Sequence, residues 1–254
     1  MLLVQRIYQF LIVYALGLGL LMAIKYGLGL SNYVIPDTVL IWHTFAEVYG
    51  HYFKQTLNTL YVAIFGQFIS IFLALAIGII GRQTTWFGSI VKVAAYNVQA
   101  YPIVALAPII FILLGDGFLT RLTIAAMICY FPLLLVVLGV MGQPVTDIEH
   151  FYRVTGRMRW QLEVKIRVFE NLHKLTTVVA GSATLAMAGT IVAEFIAANA
   201  GIGYSIRIAL YQSDLGRILI ALFLIGISLS VYQGLLESAG AWVRGRWERM
   251  EGTV

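Results

Sequence analysis

The sequence predicts an all-α membrane protein, one domain over residues 1–254 that crosses the bilayer six times. Of its 254 residues, 60% are hydrophobic and 11% charged, and the mean hydropathy is +0.87. That leaves too little polar surface to enclose a soluble domain of this length. Runs without Asp, Glu, Lys or Arg occupy 7–24, 55–81, 93–115, 122–146, 175–193 and 218–236. At about 1.5 Å rise per residue, each can cross a hydrocarbon core of about 30 Å as a helix. The cations are also unevenly placed. With both termini inside, the cytoplasmic set is Arg6, Arg82, Lys92, the six cations of residues 147–174, Arg244, Arg246 and Arg249, whereas the outer set is Lys25, Lys54, Arg121, Arg207 and Arg217. Twelve against five favours that orientation. The net charge of +5 is thereby assigned to membrane insertion and contact with anionic lipid, and nucleic acid is not needed to explain it.

The first run has only Arg6 before it and no small-x-small cleavage pattern after it, so it reads as a retained span that also signals insertion. Residues 31–54 read as a short amphipathic helix at the outer interface, with Trp42, Tyr49 and Tyr52 anchored among headgroups. The third run holds Pro102 and Pro108. A helix in lipid with two missing backbone donors must be shielded by protein or line a cavity. The polar residues just before it, Asn97, Gln99 and Tyr101, either line a solute path or hydrogen-bond neighbouring helices. In the fourth run lies Cys129, a lone cysteine for which a disulfide within the chain is impossible. Ten of the fourteen residues from 180 to 193 in the fifth run are Gly, Ala, Ser or Thr. This permits close helix contact, with Ala180, Thr184 and Ala188 as a face for a partner helix and Thr190 as a path candidate. Glu194 follows at the outer end. An acid at membrane depth is expensive, so it either works at an outer gate or is held by Asn199 or a hydroxyl. Gly201 and Gly203 then permit a tight turn toward Tyr204 and an outer segment before the sixth run.

Histidines 43, 51, 150 and 173 are scattered without ligand spacing, so no metal site is expected, and no nucleophile elbow, phosphate loop or dinucleotide glycine pattern supports an enzyme. The informative polar segment is 147–174, whose six cations are interleaved with Ile148, Phe151, Thr155, Met158, Leu162, Ile166 and Phe169 at steps of three or four. Gly156 divides it into two short helices. Such a segment either offers a docking face to a cytosolic protein or rests on lipid headgroups.

The run Gly156-Arg157-Met158-Arg159-Trp160-Gln161, with Ile166 ten residues after the glycine, resembles the Glu-Ala-Ala loop of permease subunits of bacterial ATP-binding cassette importers. The stretch from Pro102 to Pro108 followed by Gly115-Asp116-Gly117, and that from Ala193-Glu194-Phe195 to Gly201-Ile202-Gly203-Tyr204, are similar to patterns of the nitrate, sulfonate and taurine branch. The likeness covers residues 55–240. It departs at His150, Phe151 and Tyr152, which stand where the loop has Glu-Ala-Ala, and at Val168 and Phe169, which stand for Leu-Pro.

The resemblance implies a type I importer permease fold in the bacterial cytoplasmic membrane, with a coupling helix between the fourth and fifth spans. Phe151, Tyr152, Thr155, Gly156, Met158, Arg159, Trp160 and Ile166 would meet a cytosolic ATPase dimer that carries the ATP and Mg, and this chain would bind no cofactor and have no ATPase activity of its own. A second permease copy would complete the path, past Asn97, Gln99, Tyr101, Thr190, Glu194, Asn199 and Tyr204. An extracytoplasmic solute-binding protein would deliver a small anion or zwitterion (nitrate, a sulfonate, taurine) or a small heterocycle such as a thiamine-precursor pyrimidine. The alternatives are a secondary transporter driven by an ion gradient, for which Glu194 has no counterpart in the first half, and a membrane scaffold.

Overall fold

The computed structural model describes residues 2–81, 86–99, 103–142 and 160–251. Among these the ordered elements are helices: α1 Leu2–Leu28, α2 Thr38–Gly81, α3 Trp86–Gln99, α4 Ile103–Leu114, α5 Phe118–Met141, α6 Trp160–Glu170, α7 Leu172–Ile196, α8 Ile202–Tyr211 and α9 Leu215–Glu251. In hydrocarbon each backbone N–H and C=O must be satisfied within its own segment, which is why the apolar runs become unbroken helices. Five of them, α1, α2, α5, α7 and α9, are long and apolar enough to cross a membrane.

The third apolar run departs from the expectation of one continuous span. It is carried by α3 and α4, of 14 and 12 residues, each shorter than a bilayer requires. The chain nevertheless crosses the bundle there, because α2 and α5 run in the same direction. Gly66 lies against Ala125, Gly78 against Val137 and Gly81 against Leu138. Gly81 is therefore at one end of the bundle, while Asp116 is at the other, beside Asn199.

The separate interfacial helix expected over 31–54 is corrected too. From Thr38 onward the segment belongs to α2, whose 44 residues extend about 66 Å at about 1.5 Å per residue, twice the hydrocarbon thickness. Trp42 and Tyr49 are exposed, as headgroup anchors would be, but Tyr52 is buried against Ile202, Ile220 and Leu224. Helix continuity lets the apolar side of this extension pack on α8 and α9 rather than on lipid.

The most buried span is α5, enclosed by α2 and α7 with α9 completing the core. Ala125 explains the closeness on both sides. A Cβ on Gly66 of α2 would lie 2.9 Å from its Cβ, and one on Gly189 of α7 would lie 3.1 Å from its Cα. Much of the small-residue surface of α7 is thus used inside the subunit. Ala180 is buried, whereas Thr184 and Ala188 remain exposed. Outside this core α1 packs on α9 through Phe10, Tyr14 and Phe223, with the Tyr14 hydroxyl donating to the Leu219 carbonyl at 3.0 Å. Helix α4 sets Ala107 against Ile124 and Ala193.

Charged pairs mark the two ends. Arg6 with Glu237, Arg167 with the Met141 carbonyl and Arg244 with Thr176 share the end that carries both termini. Lys25 with Asp37, Glu47 with Arg217, and Arg121 with Glu194 share the opposite end.

Candidate functional site

The strongest constellation of buried polar groups forms where α7 ends and α8 begins. Small side chains bring the last turns of α7 against α5, and this carries Glu194 to a position of zero solvent exposure. The next residues must reverse direction within a few bonds. Gly201 has φ +99°, a conformation costly for any residue with a Cβ, and a Cβ there would lie 2.0 Å from the Glu194 carboxyl carbon. At Gly203 a Cβ would lie 2.5 Å from the Ile191 carbonyl oxygen. Both glycines are therefore required by the carboxylate and the helix end beneath them.

A helix leaves its first N–H groups without partners inside the helix, and those groups favour negative charge. At the start of α8 these donors are met from other helices. The Gly203 N–H donates to Glu194 Oε2 at 3.0 Å, the Ile202 N–H to Thr59 Oγ1 at 2.9 Å and the Gly201 N–H to Gln55 Oε1 at 2.8 Å. Thr59 is a relay, accepting from Ile202 while its own hydroxyl donates to Glu194 Oε2 at 2.7 Å. The other carboxylate oxygen accepts from Arg121 Nη1 of α5 at 3.3 Å. Arg207 secures the far side, donating to the carbonyls of Ile196 at 2.9 Å and Ala198 at 2.8 Å, the unsatisfied end of α7. Asn199 donates to Asp116 at 2.6 Å, tying the turn to the connection between α4 and α5.

Chemically this is a clamp. The Glu194 carboxylate has three donors and one compensating cation, and among the described residues no cluster of three His, Cys, Asp or Glu could hold a metal. It joins α2, α5, α7 and α8 at one point, so a movement of any one is felt by the others. Sequence reasoning found Glu194 and the glycine turn but missed Thr59, Gln55 and Arg121. A buried acid requires a cation, and among five candidate cations at that end nothing local selects Arg121. Asn199, suggested as the group holding Glu194, is instead exposed and bound to Asp116; the suggested hydroxyl exists and is supplied by Thr59.

A second polar layer lies deeper. Gln67 is 1% exposed; its amide donates to the Val179 carbonyl at 2.7 Å and to Ser182 Oγ at 2.9 Å, and its carbonyl accepts from the Tyr232 hydroxyl. Ser70 donates to the Ala126 carbonyl at 2.8 Å, and Cys129, buried as expected, donates to that of Ser182 at 3.5 Å. These bonds join α2, α5, α7 and α9 and were not anticipated, since single polar residues in apolar runs give no sign of which neighbour they face.

Of the other expected residues, Thr190 is fully buried and bonds the Ala186 carbonyl at 2.9 Å, so it lines no open space here. Tyr204 is half-buried beside the Arg207 guanidinium at 5.2 Å. Asn97 is exposed on α3, Gln99 ends that helix, and Tyr101 lies outside the described residues. So do Phe151, Tyr152, Thr155, Gly156, Met158 and Arg159 of the coupling segment. Trp160 begins α6, and Ile166 is half-buried within it, between Val164 and Val168, which pack on the core.

Residues 68–239 match the family described as binding-protein-dependent transport system inner membrane component. The chain belongs to that family. It is 32% identical over 236 residues to the riboflavin transport system permease protein RibX of Chloroflexus aurantiacus, covering 87% of this chain and 84% of the relative. It is 26% identical over 165 residues to the formylaminopyrimidine transport permease protein ThiX of Halalkalibacterium halodurans, covering 63% of this chain and 66% of the relative. This family member is accordingly a multi-pass inner-membrane transport component and not an enzyme, and the ATPase of such a system lies in a separate subunit. Both relatives are named for heterocycles. They bear on the pyrimidine option of the sequence reading and not on the nitrate, sulfonate and taurine branch in particular.

Proposed function

We propose that this chain is the membrane-spanning permease of an ATP-driven importer for a small, flat nitrogen heterocycle. The observation that carries the reading is the likeness to a riboflavin permease over most of both chains. The fates of the cations at the turn agree with a substrate of low charge, because Arg121 is committed to Glu194 and Arg207 to the carbonyls of Ile196 and Ala198.

In this reading α3 and α4 together form a sixth span, which the shared direction of α2 and α5 supports. The abundance of cations at the end carrying both termini supports a cytoplasmic location for that end. There residues 147–174 dock on the cytosolic ATPase through Phe151, Tyr152, Thr155, Gly156, Met158, Arg159, Trp160 and Ile166. A binding protein delivers solute at the opposite end, near the turn from Glu194 through Asn199 to Tyr204. Two copies of the chain meet along the exposed Gly181, Thr184 and Ala188, where Gln233 of α9 donates to Thr184 at 2.6 Å. The path between them passes Asn97, Gln99, Tyr101 and Thr190 in the open state.

The test is uptake of labelled riboflavin and of an aminopyrimidine into proteoliposomes holding the permease, its ATPase and its binding protein. Uptake should require internal ATP and should be lost in Gly156→Leu with membrane insertion retained. Uptake that persists without the ATPase and stops when the proton gradient collapses would establish a secondary transporter instead.

A further inference from the structure

The buried polar layer around Gln67 reaches the surface of the bundle at one side. Gln67 bonds Ser182 of α7 and Tyr232 of α9, and next to these two the same helices set a second polar pair facing outward, in which Gln233 donates to Thr184 Oγ1 at 2.6 Å. Thr184 is exposed and Gln233 half-buried. Thr184 lies ten residues from Lys174 and ten from Glu194, so at about 1.5 Å per residue it is about 15 Å from either end of its span, the centre of a hydrocarbon core of about 30 Å. Among the described residues neither side chain makes another hydrogen bond. The Gln233 carbonyl, one of its N–H groups and the Thr184 hydroxyl proton are left unanswered.

Free donors and acceptors are costly at the centre of a bilayer, and polar groups at that depth face either the interior of a bundle or a water-filled path. Exposure excludes the interior. The ground around the pair is not shaped for lipid either: α7 is the least apolar of the five long helices, and Thr177, Gly181 and Ala188 stand exposed in the same row as Thr184. A Cβ on Gly181 would meet nothing within 4 Å, so the space beside the pair is open. The outward side of α1, by contrast, carries Leu11, Val13, Leu16 and Leu20. A carboxamide holds a donor and an acceptor side by side, which suits two adjacent groups on the edge of a ring, as in the bidentate reading of adenine. We propose that Gln233, with Thr184, reads the hydrogen-bonding edge of the solute and is the specificity-determining pair of the path. This rests on the heterocycle-importer reading, in which the face looks onto the path between two copies. A cyclic imide such as the pyrimidinedione ring of riboflavin gives its N–H to the Gln233 carbonyl and accepts from the carboxamide N–H, leaving a second ring carbonyl for the Thr184 hydroxyl. An aminopyrimidine uses its amino group and the adjacent ring nitrogen in the same two places. Nitrate has no donor to answer the carbonyl.

Proteoliposomes holding the permease, its ATPase and its binding protein are given riboflavin, an aminopyrimidine, and forms of each in which methyl groups replace the hydrogens of that edge. The binding protein is the same throughout, so a change of preference between parent and variant belongs to the permease. Gln233→Leu should reduce the preference for the unmethylated solute on the order of tenfold, the worth of one bidentate pair. Thr184→Val keeps the shape and leaves the carboxamide in place; it should reduce the preference by a smaller factor, and it decides the matter where Gln233→Leu carries no solute. Uptake with an unchanged preference in Gln233→Leu would overturn the pair and leave the importer reading standing. So would loss of the two-copy particle by native mass spectrometry with the preference unmoved, which would assign the pair to the contact between copies. If the parent takes up neither heterocycle with ATP, the heterocycle reading itself fails and the role of the pair goes with it.

Discussion

Glu194→Gln tests whether the turn between α7 and α8 is a clamp. The substitution preserves shape, so the new carbonyl oxygen can still accept from Thr59 and from the Gly203 N–H. What it removes is the negative charge opposite Arg121, and an amide nitrogen can then face the guanidinium, donor against donor. Arg121 is 8% exposed and is left as an uncompensated cation. Removing one member of a buried pair costs about 3–5 kcal/mol, and the lower figure suits a site at the end of a bundle. At about 2–4 °C per kcal/mol for a chain of this size, a loss of about 3 kcal/mol lowers the melting temperature by roughly 6–12 °C. Arg121→Gln should cost as much, because it strands the carboxylate. The double variant should recover most of the loss, since two neutral amides can bond each other, and the cycle should give a coupling of about 2 kcal/mol or more. The assay is thermal unfolding in detergent followed by circular dichroism. A melting temperature for Glu194→Gln within about 1 °C of the parent, or strictly additive losses in the double variant, would refute the clamp.

Gly201→Ala should prevent accumulation of folded protein, since φ +99° costs roughly 1–3 kcal/mol and the new Cβ meets the Glu194 carboxyl; pairing it with Glu194→Ala should restore part of the folded yield by size-exclusion chromatography, removing the clash but not the strained φ. Gln67→Leu should cost about 1–3 kcal/mol by stranding the Tyr232 hydroxyl, read as a lower melting temperature. In the connection between α1 and α2, hydrogen bonds from Lys25 and with Asn32 hold the Asp37 carboxyl below its ordinary range. A depressed carboxyl stabilises the fold above its unfolded value of about 3.9 and loses that contribution as pH falls toward the folded value, so the melting-temperature gap between the parent and Asp37→Asn should be constant near neutrality and close below about pH 4. A cysteine at Arg157 in a Cys129-free chain should resist a membrane-impermeant thiol reagent added outside intact cells, and labelling there would reverse the proposed orientation.

The sequence by itself determined the helical membrane class, the apolar runs that become the five long helices and the existence of a costly acid at the end of the fifth apolar run. Those are one-dimensional properties. In lipid a helix satisfies its own backbone, so composition over some twenty residues is enough to call for it. The same locality explains the turn at Gly201, whose neighbours in sequence are its neighbours in space. Only the tertiary structure decided what the acid does. Thr59 lies 135 residues before Glu194 and Arg121 73 residues before it, and their meeting depends on how α2, α5 and α7 are registered against one another. Contacts such as Gly66 and Gly189 against Ala125 help to set that register, through shapes that no single run displays. The misread segment at 31–54 has the same cause. Its amphipathic pattern fits a helix lying on headgroups as well as one continuing into a span, and the choice fell to the second because α8 and α9 present an apolar surface for Tyr52 to bury.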